Sequence, residues 1–260
     1  IFYRLIESAD VFITNIPRMA SLLRAQIDPD TLQGLNSRLI YAAISGYGHT
    51  GPKANRGGYD IIAQGEAGLM ALTGDKDGDP MRFPTPMADI TAGIYTAIGI
   101  LTALYTRDEG KEGSGRGQFL DVSLVDSQAT WLANIGGSYF ATDVRPQRLG
   151  NIHPTVTPYQ PMRTRDKMII VAVGTERLWK RFCSALNLDK TIVEDPRFKT
   201  NAARNEHRDE LIPKLEEKLL TKDPDAWVEL FIDCEIPAGP INFPDQTLTD
   251  EQILSRKMVV

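Results

Sequence analysis

An α/β fold is what this sequence predicts, with a mostly parallel, doubly wound sheet in the first 150 residues and a smaller α/β part after them. Three observations predict it. Short β-rich runs alternate with helix-period segments through the first half. One of those runs, residues 38–45 (RLIYAAIS), is nearly all apolar, as a strand covered on both faces must be. Turn-forming residues collect directly after it, at the edge where open α/β sheets gather ligands.

Residues 1–9 open inside a helical pattern, with Phe2, Leu5, Ile6 and Ala9 at helical spacing, and residues 10–14 (DVFIT) follow as a short strand. Residues 32–36 read as the end of a second helix, before the covered strand. The loop 46–52 (GYGHTGP) leads to a helix over residues 60–73, a loop from 75 to 86 and an apolar helix from about Asp89. In that last helix Ala92, Gly93, Ala97, Gly99 and Ala103 are small enough for neighbouring backbones to come close, and the helix is expected to be buried. Residues 119–124 (FLDVSL) read as a third strand. Asp126 stands where that strand hands over to a helix over residues 127–139.

From about Gly150 the texture changes. Pro154, Pro158 and Pro161 suggest an extended linker, followed by a strand over residues 168–173 and a helix over residues 175–186. A polar helical stretch covers residues 202–220. Asp223 and Pro224 offer an N-cap and a first-turn proline to a helix whose apolar face carries Trp227, Leu230 and Phe231. Residues 236–241 (IPAGPI) read as a turn and short strand. The expected division is a large domain over 1–150, then a linker and small domain over 151–248.

Composition narrows the function classes. Hydrophobic residues make up 42% and charged residues 24% of the 260, the balance of an ordinary globular protein. A net charge of −5 argues against nucleic acid as the main partner, because phosphate neutralisation needs a basic face. The two cysteines, Cys183 and Cys234, lack disulfide or metal-ligand patterning, and no histidine has a metal-ligand partner at helical spacing. No metal and no membrane association are expected, since the longest apolar stretch, residues 90–105, is interrupted by threonines and glycines. The chain opens on Ile1 inside a helix pattern, so a longer parent chain is expected.

Local chemistry singles out few residues. His49 lies in the glycine loop at the ligand edge, His153 in the linker, and His207 beside Arg204 and Arg208 on an expected solvated face. Asp126 is held at the mouth of the sheet near a helix N-terminus, which favours its ionised form. Its plainer local reading is a cap for the following helix. Asp60 and Asp89 read as helix starters, and Asp121 as a residue on a strand face.

Five segments occur together in order: 9–15 (ADVFITN), 38–52 (RLIYAAISGYGHTGP), 57–64 (GGYDIIAQ), 115–127 (GRGQFLDVSLVDS) and 236–242 (IPAGPIN). Together they resemble the class III CoA-transferase family, the carnitine-CoA transferase/bile-acid-inducible family. The resemblance implies a Rossmann-like large domain with a smaller α/β domain and interlocked homodimers. It also implies that residues 249–260 begin a return to the large domain.

The implied function is transfer of CoA from an acyl-CoA to a small carboxylic acid, a dicarboxylate such as glutarate or succinate, with CoA as substrate and no permanently bound cofactor. By position Asp126 is implied as the nucleophile that takes the acyl group. Asn15, Arg24, Arg56, Tyr59 and Asp60 are implied around the CoA, and the N–H groups of Gly46 and Gly48 as oxyanion donors. In the family's racemases a histidine stands where Tyr59 stands here, which favours transfer over the alternative of an α-methylacyl-CoA racemase. A further alternative is an inactive CoA-binding or dimerisation fragment. Cytoplasm or mitochondrial matrix is the expected compartment.

Overall fold

In the computed structural model, which describes residues 1–108 and 113–259, the apolar strand is the middle of a three-stranded parallel sheet. Val260, the last residue of the expected return segment, lies outside the described residues. Two compact units are present, Ile1–Gly150 and Asn151–Val260.

The first unit holds α1 (Phe2–Ile6), β1 (Val11–Thr14), α2 (Met19–Ala25), α3 (Pro29–Leu35) and β2 (Ile40–Ser45). After these come α4 (Asp60–Glu66), α5 (Leu69–Leu72), α6 (Met87–Asp108), β3 (Phe119–Ser123), α7 (Leu124–Ala129), a 3-10 turn (Thr130–Leu132) and α8 (Ala133–Thr142). The sheet order is β1-β2-β3, with Ala42 opposite Ile13 and Leu120, and Ala43 opposite Asp121. The alternation of β2 sends Tyr41 and Ala43 into a cluster with Ile6, Leu32 and Leu39. Ile44 points the other way, against Ala63, Ala88, Ala92 and Leu124. Helices therefore cover both faces, which is why residues 40–44 have no polar alternation.

The described structure corrects three expectations in this unit. The helix expected from residue 127 begins at Leu124, because the Ser123 hydroxyl caps it by accepting the Asp126 N–H at 2.9 Å. Asp126 is thus the third residue of α7 and not its cap. The apolar helix α6 is buried on one side only. Ala88, Thr91, Ala92, Thr96 and Ala103 form its packed stripe, while Ile90, Ile94, Ile98 and Leu101 are exposed. By length and composition α6 would also suffice to cross a membrane. Its packing on β2, β3, α4 and α7, and the buried Arg107 near its end that pairs with the exposed Asp10, are those of a sheet-covering helix. The threonines of its packed stripe keep their hydroxyls satisfied on the helix's own carbonyls, Thr91 on Met87 and Thr96 on Ala92.

The second unit contains β4 (Tyr159–Arg163), β5 (Met168–Ala172), α9 (Glu176–Ala185), α10 (Lys190–Val193), α11 (Asn201–Glu206) and α12 (Arg208–Leu219). It continues with α13 (Pro224–Asp233), β6 (Ala238–Pro240), α14 (Pro244–Leu248) and α15 (Glu251–Ser255). Its sheet is antiparallel, in the order β4-β5-β6. Leu211, Leu215 and Leu219 recur every four residues along α12 and meet Trp179, Phe182, Trp227 and Phe231 in the core.

Pro161 lies in strand β4 instead of a linker, where an edge strand tolerates its missing N–H. Asp223 precedes α13 at the N-cap position, but its carboxylate accepts from Arg165 and caps nothing. The basic cluster around His207 is no solvated face. Arg204 is wholly buried, with its guanidinium donating to Glu176, to the Thr157 carbonyl and to the Phe198 carbonyl. It also stacks 4.5 Å over the Trp179 ring. Arg208 binds the Thr157 hydroxyl and the His153 carbonyl, so this stretch clamps the segment before β4.

Candidate active site

The parallel sheet ends in a cavity of about 510 Å³ at the carboxyl edge of its strands. Asn15 after β1, Ser45 and Gly46 at the end of β2, and Leu124 at the start of α7 form one side. Gly57, Gly58 and Tyr59 before α4, and Asp89 in the first turn of α6, form the other. Of the residues expected around CoA, the cavity brings together Asn15, Gly46 and Tyr59. Tyr59 is 80% exposed, and its phenol stands at the opening.

The two glycine loops meet backbone to backbone. A Cβ on Gly46 would lie 2.6 Å from the Gly58 Cα, and one on Gly58 would lie 2.7 Å from the Gly46 Cα. The Gly46 carbonyl accepts from the Val125 N–H, which ties this loop to the start of α7. Gly48 is not a free oxyanion donor, because its N–H already donates to the Ser45 hydroxyl at 2.9 Å. It takes a positive φ of 79°, and a Cβ there would press on the Asp121 carboxylate.

The carboxylates divide sharply in role. Asp60 has both oxygens engaged: one accepts the Ala88 N–H at 2.8 Å and the other the Gln64 amide at 2.7 Å. Asp126 does not line the cavity, and its carboxylate has no hydrogen-bond partner among the described residues. Asp89 does line it. Desolvation, followed by the Asp60 charge, raises the Asp89 pKa above the usual carboxylate value. Local sequence gave Asp89 the look of a helix starter; its place at the cavity comes from how α4 receives α6.

The remaining expected residues lie off the cavity. Arg24, in the last turn of α2, reaches only the Ser21 hydroxyl among the described residues, at 3.4 Å. Arg56 pairs with Glu66 at 3.1 Å and stacks 5.0 Å over the Tyr47 ring, where Lys53 also pairs with Glu66 and covers Tyr47. The Lys53 and Tyr47 bonds hold the Glu66 carboxyl below its ordinary range. His49 is turned away, its ring almost fully buried against Asp121 at 3.1 Å. His153 packs at a tilt against Tyr159 in the second unit. Among the described residues no group of His, Cys, Asp or Glu could hold a metal ion.

Beside this geometry, a cavity at a sheet edge floored by glycine backbone and lined by Asp89, stand the comparisons to known proteins. The succinate–glutarate CoA-transferase of Agrobacterium fabrum is 38% identical over 99% of this chain and 63% of its own length. The acetyl-CoA:oxalate CoA-transferase of Acetobacter aceti is 34% identical over the whole chain and 66% of its own length. The chain therefore spans less than two thirds of these relatives. A solved CAIB/BAIF family protein from Brucella suis superposes over all of this chain and 67% of its own, with a TM-score of 0.87 at 36% identity. The pattern of CoA-transferase family III matches residues 1–260, and the chain belongs to that family.

Proposed function

We propose that the protein carrying this chain moves CoA from an acyl-CoA to a small dicarboxylic acid, and that Asp89 is the nucleophile in place of the Asp126 implied by sequence position. One observation carries the assignment: Asp89 is the carboxylate that lines the cavity without being consumed by a hydrogen bond among the described residues. The names of two relatives, which act with glutarate and oxalate, support a dicarboxylate acceptor.

The chemistry suits a carboxylate that opens on the cavity. Asp89 attacks the thioester carbonyl, forming a mixed anhydride and expelling CoA thiolate. The thiolate then attacks the Asp89 carbonyl, leaving an aspartyl thioester and the donor acid. The acceptor carboxylate attacks that thioester, releasing the thiolate again, and the thiolate takes the new acyl group as Asp89 is regenerated. Splitting the exchange into covalent steps lowers each barrier. Tyr59 lines the cavity at the position where, by the resemblance, the family's racemases carry a histidine, which supports transfer over racemisation. The homodimer implied by the resemblance belongs to the same reading, and the exposed apolar side of α6 supports an assembly that covers it.

Succinyl-CoA incubated with glutarate gives the test. Asp89→Asn is expected to lower glutaryl-CoA formation by about 10³-fold or more, with Asp126→Asn within about tenfold of the parent. The reverse pattern would return the role to Asp126.

A further inference from the structure

Gln64 is 2% exposed, a rare condition for an uncharged amide unless every polar atom is employed. Its Oε1 accepts the Phe83 N–H at 2.8 Å. Its Nε2 donates to Asp60 Oδ2 at 2.7 Å and approaches the carbonyls of Phe83 and Thr85 at 3.4 Å. Asp60 sits one helical turn earlier on the same face of α4, so the two side chains meet as i and i+4 partners. The other Asp60 oxygen accepts the N–H of Ala88, the residue directly before Asp89.

The chain of contacts runs one way. The Gln64 amide orients the Asp60 carboxylate and holds the backbone of residues 83–85. Asp60 in turn satisfies one of the orphan N–H groups in the first turn of α6. From this we infer that Gln64 is a positioning residue for the transfer reaction: with Asp60 it locks the entry of α6 so that Asp89 faces the cavity. This rests on the Asp89 reading. Gln64 does not line the cavity itself, and its requirement is chemical. The position needs one acceptor for the Phe83 N–H and a donor that serves Asp60 first and the Phe83 and Thr85 carbonyls at longer range, which glutamine supplies and which neither an ionised glutamate nor leucine can.

The test exchanges donor and acceptor. Gln64→Glu alone sets two carboxylates against each other, and Asp60→Asn alone sets an amide N–H against an amide N–H. Each single variant is expected to lower kcat for succinyl-CoA to glutarate exchange by about 10- to 100-fold, the scale of a ~1 Å misplacement, with KM for acyl-CoA within about threefold. The double variant Asp60→Asn/Gln64→Glu restores a donor to an acceptor while keeping net charge. It is expected to recover at least about tenfold over the weaker single variant, and the rate of acyl labelling of Asp89, read by mass spectrometry of quenched protein, follows kcat.

Wild-type kcat in Gln64→Glu would overturn the inference, as would a double variant no better than the singles while wild-type protein still labels at Asp89. Absence of label on Asp89 in wild-type protein sinks the nucleophile assignment, and the positioning role with it. Singles that fail to fold leave the double variant decisive: a folded, active exchange pair supports the inference, and an unfolded or folded but inactive one overturns it.

Discussion

Replacing Gly46 with alanine is the sharpest probe of the cavity floor. The new Cβ would come 2.6 Å from the Gly58 Cα and 2.8 Å from its nitrogen. Carbon atoms in contact sit at about 3.5–4.0 Å, so the two loops must part by about 1 Å. Both neighbours are main-chain atoms and cannot rotate aside. Overpacking of this kind costs about 1–3 kcal/mol. For a unit of this size that lowers Tm by about 2–12 °C.

The functional loss is larger, because a shift of ~1 Å in reacting groups costs about 10²-fold in rate. Gly34→Ala is the control: Gly34 lies in α3 with nothing within 4 Å of its would-be Cβ. That change is expected to stabilise by about 0.5–1 kcal/mol and leave exchange intact. Differential scanning fluorimetry and the succinyl-CoA to glutarate assay read both variants. Gly46→Ala with parental Tm and kcat would refute the argument that the loops meet through backbone alone.

Further expectations concern charge and caps. Asp89→Asn is expected to abolish exchange yet raise Tm at neutral pH. A carboxyl whose folded pKa is raised loses stability as pH climbs from its unfolded value of about 3.9 through the folded one, and amide removes that penalty. The gain should vanish in scans below that window. Ser123→Ala is expected to cost about 1 kcal/mol by uncapping α7, with Ser123→Asp restoring it, whereas Asp126→Ala leaves Tm nearly unchanged. Arg204→Leu strips the Thr157 and Phe198 carbonyls of their buried donor. Its Glu176 partner is half exposed and regains water, so the loss should be about 1–3 kcal/mol in urea titrations followed by tryptophan fluorescence.

The strands were the most legible part of the chain. Residues 38–45 lack polar alternation because helices cover both faces of β2, and the glycines after it mark the cavity edge. Asn15, Gly46 and Tyr59 line the cavity, each being anchored to a strand end or helix start that local pattern reveals. Asp89 and Asp126 were not distinguishable that way. Both stand in the first turn of a helix, and only the packing of α4 against α6 decides which one meets the cavity. Gln64 and Arg204 were illegible for the same cause. A polar residue reads as solvated until its distant partners, Phe83 for one and Glu176 for the other, are in place.

Helix α6 runs from the cavity to the opposite end of the sheet, some 33 Å at 1.5 Å per residue over its 22 residues. Its far end is bolted by Arg107, whose guanidinium grips Asp10 before β1 and the Arg38 carbonyl before β2. The helix therefore acts as a strut fixed at both ends, and the reach of Asp89 into the cavity is set partly by residues a full sheet-length away. Any selection on the reach of Asp89 would then leave marks at Asp10 and Arg107, positions outside the cavity lining.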